Sequence, residues 1–387
     1  MLWLHVPGFD RPKKETRYGD GQVITDFAFW LIIDSFLGAG KQVLIKFLKM
    51  LHVTEPILLL THAHGDHGNG FFDILNDSFF HPKALICYKP SSLEKGLRNN
   101  RGSEKVKDDI AYLESLIALA KKKGVPVIYA EHGQKFQYGD IRFYTYRWQP
   151  SRVEDNDIHG WDYVNEGSIC CYFPELNYWT SADGPDEPRN KMKSVGAKVL
   201  AFLICHHGNF FSQSNAQGLK KDGAVVCWYN DLEPNGIGTE DFTAFGARRC
   251  LQAGIEVFES VGDINALFFG GTAYWYHGGK QVTYKCGYAG KSILRTPPVD
   301  VVRKILRGEY GSGDTRVTKV IAAGFGPKTT QSKVNSVISI AKLIKDGKAN
   351  YGKNEARLAK IDKELGKGYG QLVQDYINVL FGVREKV

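Results

Sequence analysis

The stretch Thr61-His62-Ala63-His64-Gly65-Asp66-His67-Gly68-Asn69-Gly70 follows directly on an unbroken apolar run, Ile57 to Leu60. Such a run reads as a strand buried on both faces, so the polar segment sits where a buried strand ends. Residues two apart in extended chain project to the same side, which aims His62 and His64 together. Asp66 and His67 follow at once, on a loop that contains Gly65 and Gly68. Four ligand-type side chains within six residues can serve two ions, an imidazole pair for one and a carboxylate plus imidazole for the other. A merely polar turn would leave the apolar strand before it unexplained.

Working outward, Gln22 to Phe36 is rich in β-branched and aromatic residues and predicts one long strand or a hairpin. Lys41 to Leu51 predicts a helix with Val43, Leu44, Phe47, Leu48 and Leu51 on one face. The preceding Gly38 to Lys41 lacks the spacing of a phosphate loop and reads as the turn before that helix. Downstream, a helical stretch (Asp108 to Lys123) leads into strands at Val125 to Tyr129, Ile141 to Tyr146, Ser168 to Phe173, Tyr178 to Ser181 and Val199 to Cys205. Ala224 to Asn230, a helix around Phe245 to Ala253, and strands near Ile255 and Ala266 complete a domain by about Tyr288. Strands alternating with occasional helices fit two sheets carrying outer helices.

A chain of 387 residues suits such a domain over residues 1–290, a linker over 291–299 that includes the Pro-Pro pair, and a smaller unit over 300–387. The small unit repeats itself. Tyr310-Gly311-x-Gly313-x-x-Arg316 is matched by Tyr351-Gly352-x-Asn354-x-x-Arg357, and Gln331-x-x-Val334-Asn335 by Gln374-x-x-Ile377-Asn378. Two mostly helical copies, about 300–338 and 339–382, follow from that order.

The 43% hydrophobic and 24% charged content are those of a water-soluble globular chain, and no run approaches the roughly 18 apolar residues that span a bilayer. Pro7, Gly8 and Pro12 interrupt the N-terminus before a secretory core develops, so synthesis in the cytoplasm without a signal peptide is expected. The seven cysteines lack metal-finger spacing and read as buried free thiols. From Lys291 onward there are 19 Lys and Arg against nine Asp and Glu, whereas residues 1–290 hold 31 against 33, so the basic character belongs to the tail.

The segment THAHGDHGNG resembles the HxHxDH signature of the metallo-β-lactamase superfamily, and Leu31 to Ser35 resembles that family's early strand ending in an aspartate. The resemblance implies an αββα sandwich and nominates Asp183, in Trp179 to Gly184, as the carboxylate bridging two metals. In Leu203 to Asn209 it nominates His206 or His207 as the last ligand. His206 is preferred, with His207 left for protonating the leaving group and Tyr163 as an alternative donor. Two divalent ions are implied, zinc first, with manganese or iron as alternatives, and Asp66 and Asp183 would position the nucleophile.

Where the family carries a third histidine this chain reads Val164 to Cys171, VNEGSICC. That departure resembles the branch of competence hydrolases and phosphorylcholine esterases; His132 and His159 are the candidates to fill the gap. Gly308 to Arg316, Ala323 to Phe325 and Gln331 to Asn335 resemble the cell-wall-binding repeats behind phage lysozymes and amidases, which implies a peptidoglycan partner. The second copy lacks the Ala-Gly turn and has Asn354 for Gly313, which counts against its binding. A basic helical pair could instead hold teichoic acid or nucleic acid, though no stacking platform for bases is interleaved with the charges. The expectation is a phage-type envelope hydrolase of phosphodiester or related bonds, made in the cytoplasm and released to the wall. The alternative is an intracellular phosphodiesterase or nuclease. A silent binding protein is disfavoured by the intact first motif.

Overall fold

A computed structural model describes residues 1–8, 19–98, 103–148, 164–184, 188–208, 211–230 and 245–387. The chain divides into two compact units, Met1–Lys291 and Ser292–Val387.

In the first unit the strands are β1 (Leu2–Val6), β2 (Gln22–Thr25), β3 (Trp30–Ile33), β4 (Ile57–Leu59), β5 (Ala84–Cys87), β6 (Val127–Tyr129), β7 (Gln134–Tyr138) and β8 (Ile141–Tyr146). Then come β9 (Cys170–Phe173), β10 (Tyr178–Thr180), β11 (Ala201–Leu203), β12 (Val226–Tyr229), β13 (Glu256–Glu259), β14 (Ile264–Phe269), β15 (Thr272–His277) and β16 (Lys280–Lys285). One sheet has the order β16-β15-β14-β1-β2-β3-β4-β5-β6 and the other β13-β12-β11-β10-β9-β8-β7. Strands β3 to β6 pair in parallel, as do β10 to β13, which sets the carboxyl ends of both parallel groups as candidate ligand edges.

The sheets face each other, and the alternation of the strands divides the two cores. On β10, Tyr178 points inward, with its hydroxyl donating to Gln22 Oε1 (2.6 Å) and its ring 6.0 Å from Trp275. Its neighbour Trp179 points outward into a second core with Phe202, Cys227 and Tyr229, covered by Ala216 and Leu219 of the helix Gln213–Lys221 and Ala247 and Cys250 of the helix Phe245–Gln252. On the other outer face, helix α1 (Gly38–Met50) buries Leu44, Phe47 and Leu48, with Phe47 against Trp3 and His5 of β1. The αββα sandwich followed by a helical unit is therefore the observed architecture.

The stretch Gln22 to Phe36 resolves into the β2–β3 hairpin. Its turn is closed by Asp26, whose Oδ1 accepts from the backbone of Ala28 and Phe29 (2.9 and 2.7 Å). The first motif differs from its expected loop: helix α2 (Gly65–Asn76) begins at Gly65 and puts Asp66 and His67 in its first turn. Its glycines are matters of clearance. A Cβ on Gly70 would lie 2.3 Å from the Ser35 carbonyl oxygen, and one on Gly68 would lie 2.6 Å from the Tyr112 hydroxyl. All seven cysteines are free, six of them buried. No helix among the described residues is long and apolar enough to cross a membrane.

The second unit is helical, with helices Val299–Leu306, Gly313–Ala322, Pro327–Lys345, Asn354–Leu365 and Tyr369–Leu380. They enclose one core that includes Val302, Val320, Val337, Ile361 and Ile377. The long helix Pro327–Lys345 serves both copies. Its first part matches Tyr369–Leu380, while Ile340 and Ala341 in its last turns are buried as Val301 and Val302 are in the opening helix.

Candidate metal centre

The motif residues meet at the carboxyl ends of β3, β4, β10 and β11. His62 leaves β4, His64 caps α2, and Asp66 and His67 occupy the first turn of that helix. Asp183 follows β10, and His206 and His207 follow β11. Four non-glycine residues here, Asp34, Ala182, His206 and His207, take left-handed backbone with φ between 47° and 58°. Each costs on the order of 1 kcal/mol or more, so the surrounding packing must hold them in place.

Asp183 sits at the centre. Its Oδ2 lies 3.5 Å from His62 Nε2, while its Oδ1 lies 3.2 Å from His67 Nε2 and 3.5 Å from His207 Nε2. On one side His62 Nε2 and His64 Nδ1 approach to 3.1 Å. Two imidazole nitrogens bound to one tetrahedral zinc stand about 3.3 Å apart, so this pair is spaced as ligands of a common ion. On the other side His207 Nε2 lies 3.4 Å from Asp66 Oδ2. Three sets of ligand atoms lie within 4.8 Å of one another: His62, His64 and Asp183; Asp66, His67 and His207; and Asp20, Asp183 and His207.

Carboxylates stand behind three of the histidines. Asp34 Oδ2 is 2.9 Å from His67 Nδ1 and also accepts the Thr61 hydroxyl (2.7 Å), while its Oδ1 accepts the Thr61 N–H (2.9 Å). A carboxylate in that position draws the proton to Nδ1 and turns Nε2 toward the centre. Asp20 Oδ1 faces His207 Nδ1 at 3.7 Å and is held by the Asn230 amide (3.0 Å), and Asp109 Oδ2 faces His64 Nε2 at 3.6 Å.

Burial makes this arrangement costly without compensating charge. His62, His67 and His207 are at most 1% exposed, and Asp66 is the most open of the central carboxylates, at 22% of its side chain. Buried atoms without a hydrogen-bond partner include His67 Nε2, both ring nitrogens of His207, Asp183 Oδ1 and Asp20 Oδ2. Such orphaned atoms, aimed at common points, fit a divalent cation.

The titration pattern agrees. Burial favours neutral His67 and His207, yet Asp183 and Asp34 around the first, and Asp183 and Asp20 around the second, hold both protonated well above the usual imidazole range. Burial opposes ionisation of Asp183 and Asp66, but the charges of His67 and His207 hold both below the usual carboxylate range. Burial, aided by the charge of His67, lowers His62 to about 3. Burial also raises Asp20 to about 6. In the metal-free chain, two imidazolium protons occupy the electrostatic place a cation would fill.

The seven residues nominated from the sequence, His62, His64, Asp66, His67, Asp183, His206 and His207, are brought together. His207, not the preferred His206, lies among the ligand sets. His206 stands to the side, its Nε2 3.9 Å from Asp183 Oδ2 and 3.4 Å from Asn165 Nδ2. The consecutive left-handed residues turn the two rings differently, which spacing alone could not foretell. His132 does not fill the gap of the third histidine: it is exposed, 2.8 Å from the Arg147 carbonyl oxygen, and packs on Tyr146 and Trp148. In the stretch that lacks the histidine, Asn165 is buried with its Nδ2 3.4 Å from His206 Nε2. His159 and Tyr163 lie outside the described residues. The sequence reading assigned no role to Asp20, Asp109, Asn165 or Asn230. Asp109 looks like any charged residue of α3 (Ser103–Lys122) until its 2% exposure is seen.

Residues 300–338 match the CW_7 repeat. Among curated proteins, no match is found. Solved structures with similarity include the metallo-beta-lactamase fold protein YhfI from Bacillus subtilis, 12% identical over 68% of this chain and 99% of that one, with a TM-score of 0.42. Isothiocyanate hydrolase from Delia radicum gut bacteria is 13% identical over 69% and 99% (TM-score 0.39), and unliganded yeast PDE1 is 8% identical over 67% and 97% (TM-score 0.38). Likeness at this level does not extend to chemistry, which rests on the residues above.

Proposed function

We propose that this chain is a metal-dependent hydrolase of phosphodiester or related bonds in cell-envelope polymers, brought to the wall by its C-terminal repeats. The observation that carries the reading is Asp183, whose two oxygens face two different sets of histidines. His62, His64 and Asp183 would hold one divalent ion, and Asp66, His67, His207 and Asp183 a second; zinc suits this imidazole and carboxylate set, as do manganese and iron. When bound, such ions supply Lewis acidity and make water nucleophilic near neutral pH.

The remaining steps belong to the chain's own groups. Asp66, the most open of the central carboxylates, stands at the solvent rim of the site, where it can orient a water. His206, at the edge of the centre with its Nε2 3.9 Å from Asp183 Oδ2, is the imidazole left to relay a proton to the leaving group. The CW_7 match and the basic tail support delivery to the wall.

The test is metal analysis of the purified chain combined with turnover on phosphodiester, phosphomonoester, ester and lactam substrates. Bound divalent metal and preferential phosphodiester cleavage are expected, and His64→Ala and Asp66→Ala should remove both metal and turnover while the chain still melts cooperatively. Full activity in either variant overturns the assignment. Retention of the full chain on plasmid DNA rather than on purified walls would move the substrate to nucleic acid.

A further inference from the structure

Helix α3 lies against the helix that carries half of the first motif. The Tyr112 hydroxyl of α3 donates to Asn69 Oδ1 of α2 (3.2 Å) and stands over Gly68, where an added Cβ would come within 2.6 Å of it. Lys105, Asp109 and Tyr112 are spaced four and three apart along the helix, so they share one face. That face is the one turned toward the metal centre, since Asp109 meets His64 there.

Asp109 is out of keeping with the other acidic residues of α3. Glu104, Asp108 and Glu114 are exposed, whereas Asp109 is only 2% exposed. Its Oδ2 faces His64 Nε2 at 3.6 Å, beyond ordinary hydrogen-bond length, and among the described residues neither atom has a hydrogen-bond partner. Its Oδ1 accepts from the Lys105 ammonium (2.6 Å), and the Lys105 side chain is 49% exposed. An ion pair on a helix surface contributes little and does not require either end to leave water. Burying the carboxylate is costly unless a second partner uses it, and the partner in line is His64.

We infer that Asp109 and Lys105 form a tuning pair for the ion served by His64: the carboxylate positions and strengthens the imidazole, and the ammonium draws part of that negative charge away. This inference rests on the metal-dependent reading above. His64 Nδ1, 3.1 Å from His62 Nε2, is the nitrogen placed for an ion, which leaves the Nε2 side to Asp109. A carboxylate behind a ligating imidazole fixes its orientation and raises its donor strength. Lys105 acts against that from the open side, because a cation so close to the carboxylate offsets the field it exerts on the ring. The chain therefore holds the ion less tightly than Asp109 alone would allow. Asp109 is a positioning residue, and Lys105 sets how much of its charge His64 receives.

The test strips the full chain of metal and titrates it with zinc against a competing chelator, at low salt because Lys105 is open to screening. The two ends of the pair should act in opposite directions. Asp109→Asn should loosen zinc by about 10-fold or more, and Lys105→Met should tighten it by about 3-fold or more. An ion pair that served the fold alone would lose zinc, or leave it unchanged, whichever end was removed. Lys105 is exposed, so its replacement keeps the test decisive even where Asp109→Asn fails to fold. Unchanged or weaker zinc binding in Lys105→Met overturns the inference and leaves the metal-dependent reading standing, as does zinc binding untouched in a folded Asp109→Asn. A wild-type chain that takes up no zinc overturns both.

Discussion

At the scale of single residues, the centre sets five imidazoles against the carboxylates of Asp20, Asp34, Asp66 and Asp183. Its pH dependence follows. His67 and His207 are raised in the folded, metal-free chain, so their pairing stabilises the fold fully below about pH 6.5 and is lost as pH rises through their folded values. His62 and His206, lowered to about 3 and about 4, act oppositely, costing stability as pH falls below about 6.5. The metal-free melting temperature should therefore decline on the alkaline side. Metal must displace the two protons, so its affinity should rise with pH. Calorimetry with and without chelator from pH 6 to 8 should show the gap between the two forms widening; a constant or narrowing gap would contradict the proton count. His62, His64, Asp66 and His67 were legible as candidate ligands because spacing after a buried strand is a local property, whereas Asp183, His206 and His207 were nominated only by the family resemblance. Asp20 and Asp109 were not legible, because only the fold reveals which of many ordinary aspartates it buries beside a histidine.

At the scale of elements, helix α2 carries half of the first motif, and its placement depends on clearance at Gly70. The substitution Gly70→Ala would press a methyl group against the Ser35 carbonyl and displace the turn bearing Asp66 and His67. A loss of about 1–3 kcal/mol in urea unfolding is expected, together with weaker metal uptake; unchanged values in both would show that the helix is not held by that contact. The strand Ile141–Tyr146 was predicted with its observed bounds, since its inward residues alternate cleanly. Helix α2 was not, because three glycines within six residues read as a loop when their packing partners are unknown. The β15–β16 hairpin was also passed over, although Gly278-Gly279, both left-handed, is the kind of two-residue turn that joins such strands.

At the scale of the whole molecule, each unit closes its own core, one between and outside the sheets and one among the helices. A chain ending at Lys291 should consequently bind as much metal as the full chain and melt in a single transition, as read by metal analysis and calorimetry; loss of metal would mean that the helical unit supports the centre. The uneven charge has the same modular character, since the basic excess lies in the tail. Finally, the helix Pro327–Lys345 ends one copy and begins the next. A recombination event that lengthens or shortens such a tail must therefore rejoin the chain in frame with that helix, so viable descendants differ by whole periods and no spacer has to evolve between them.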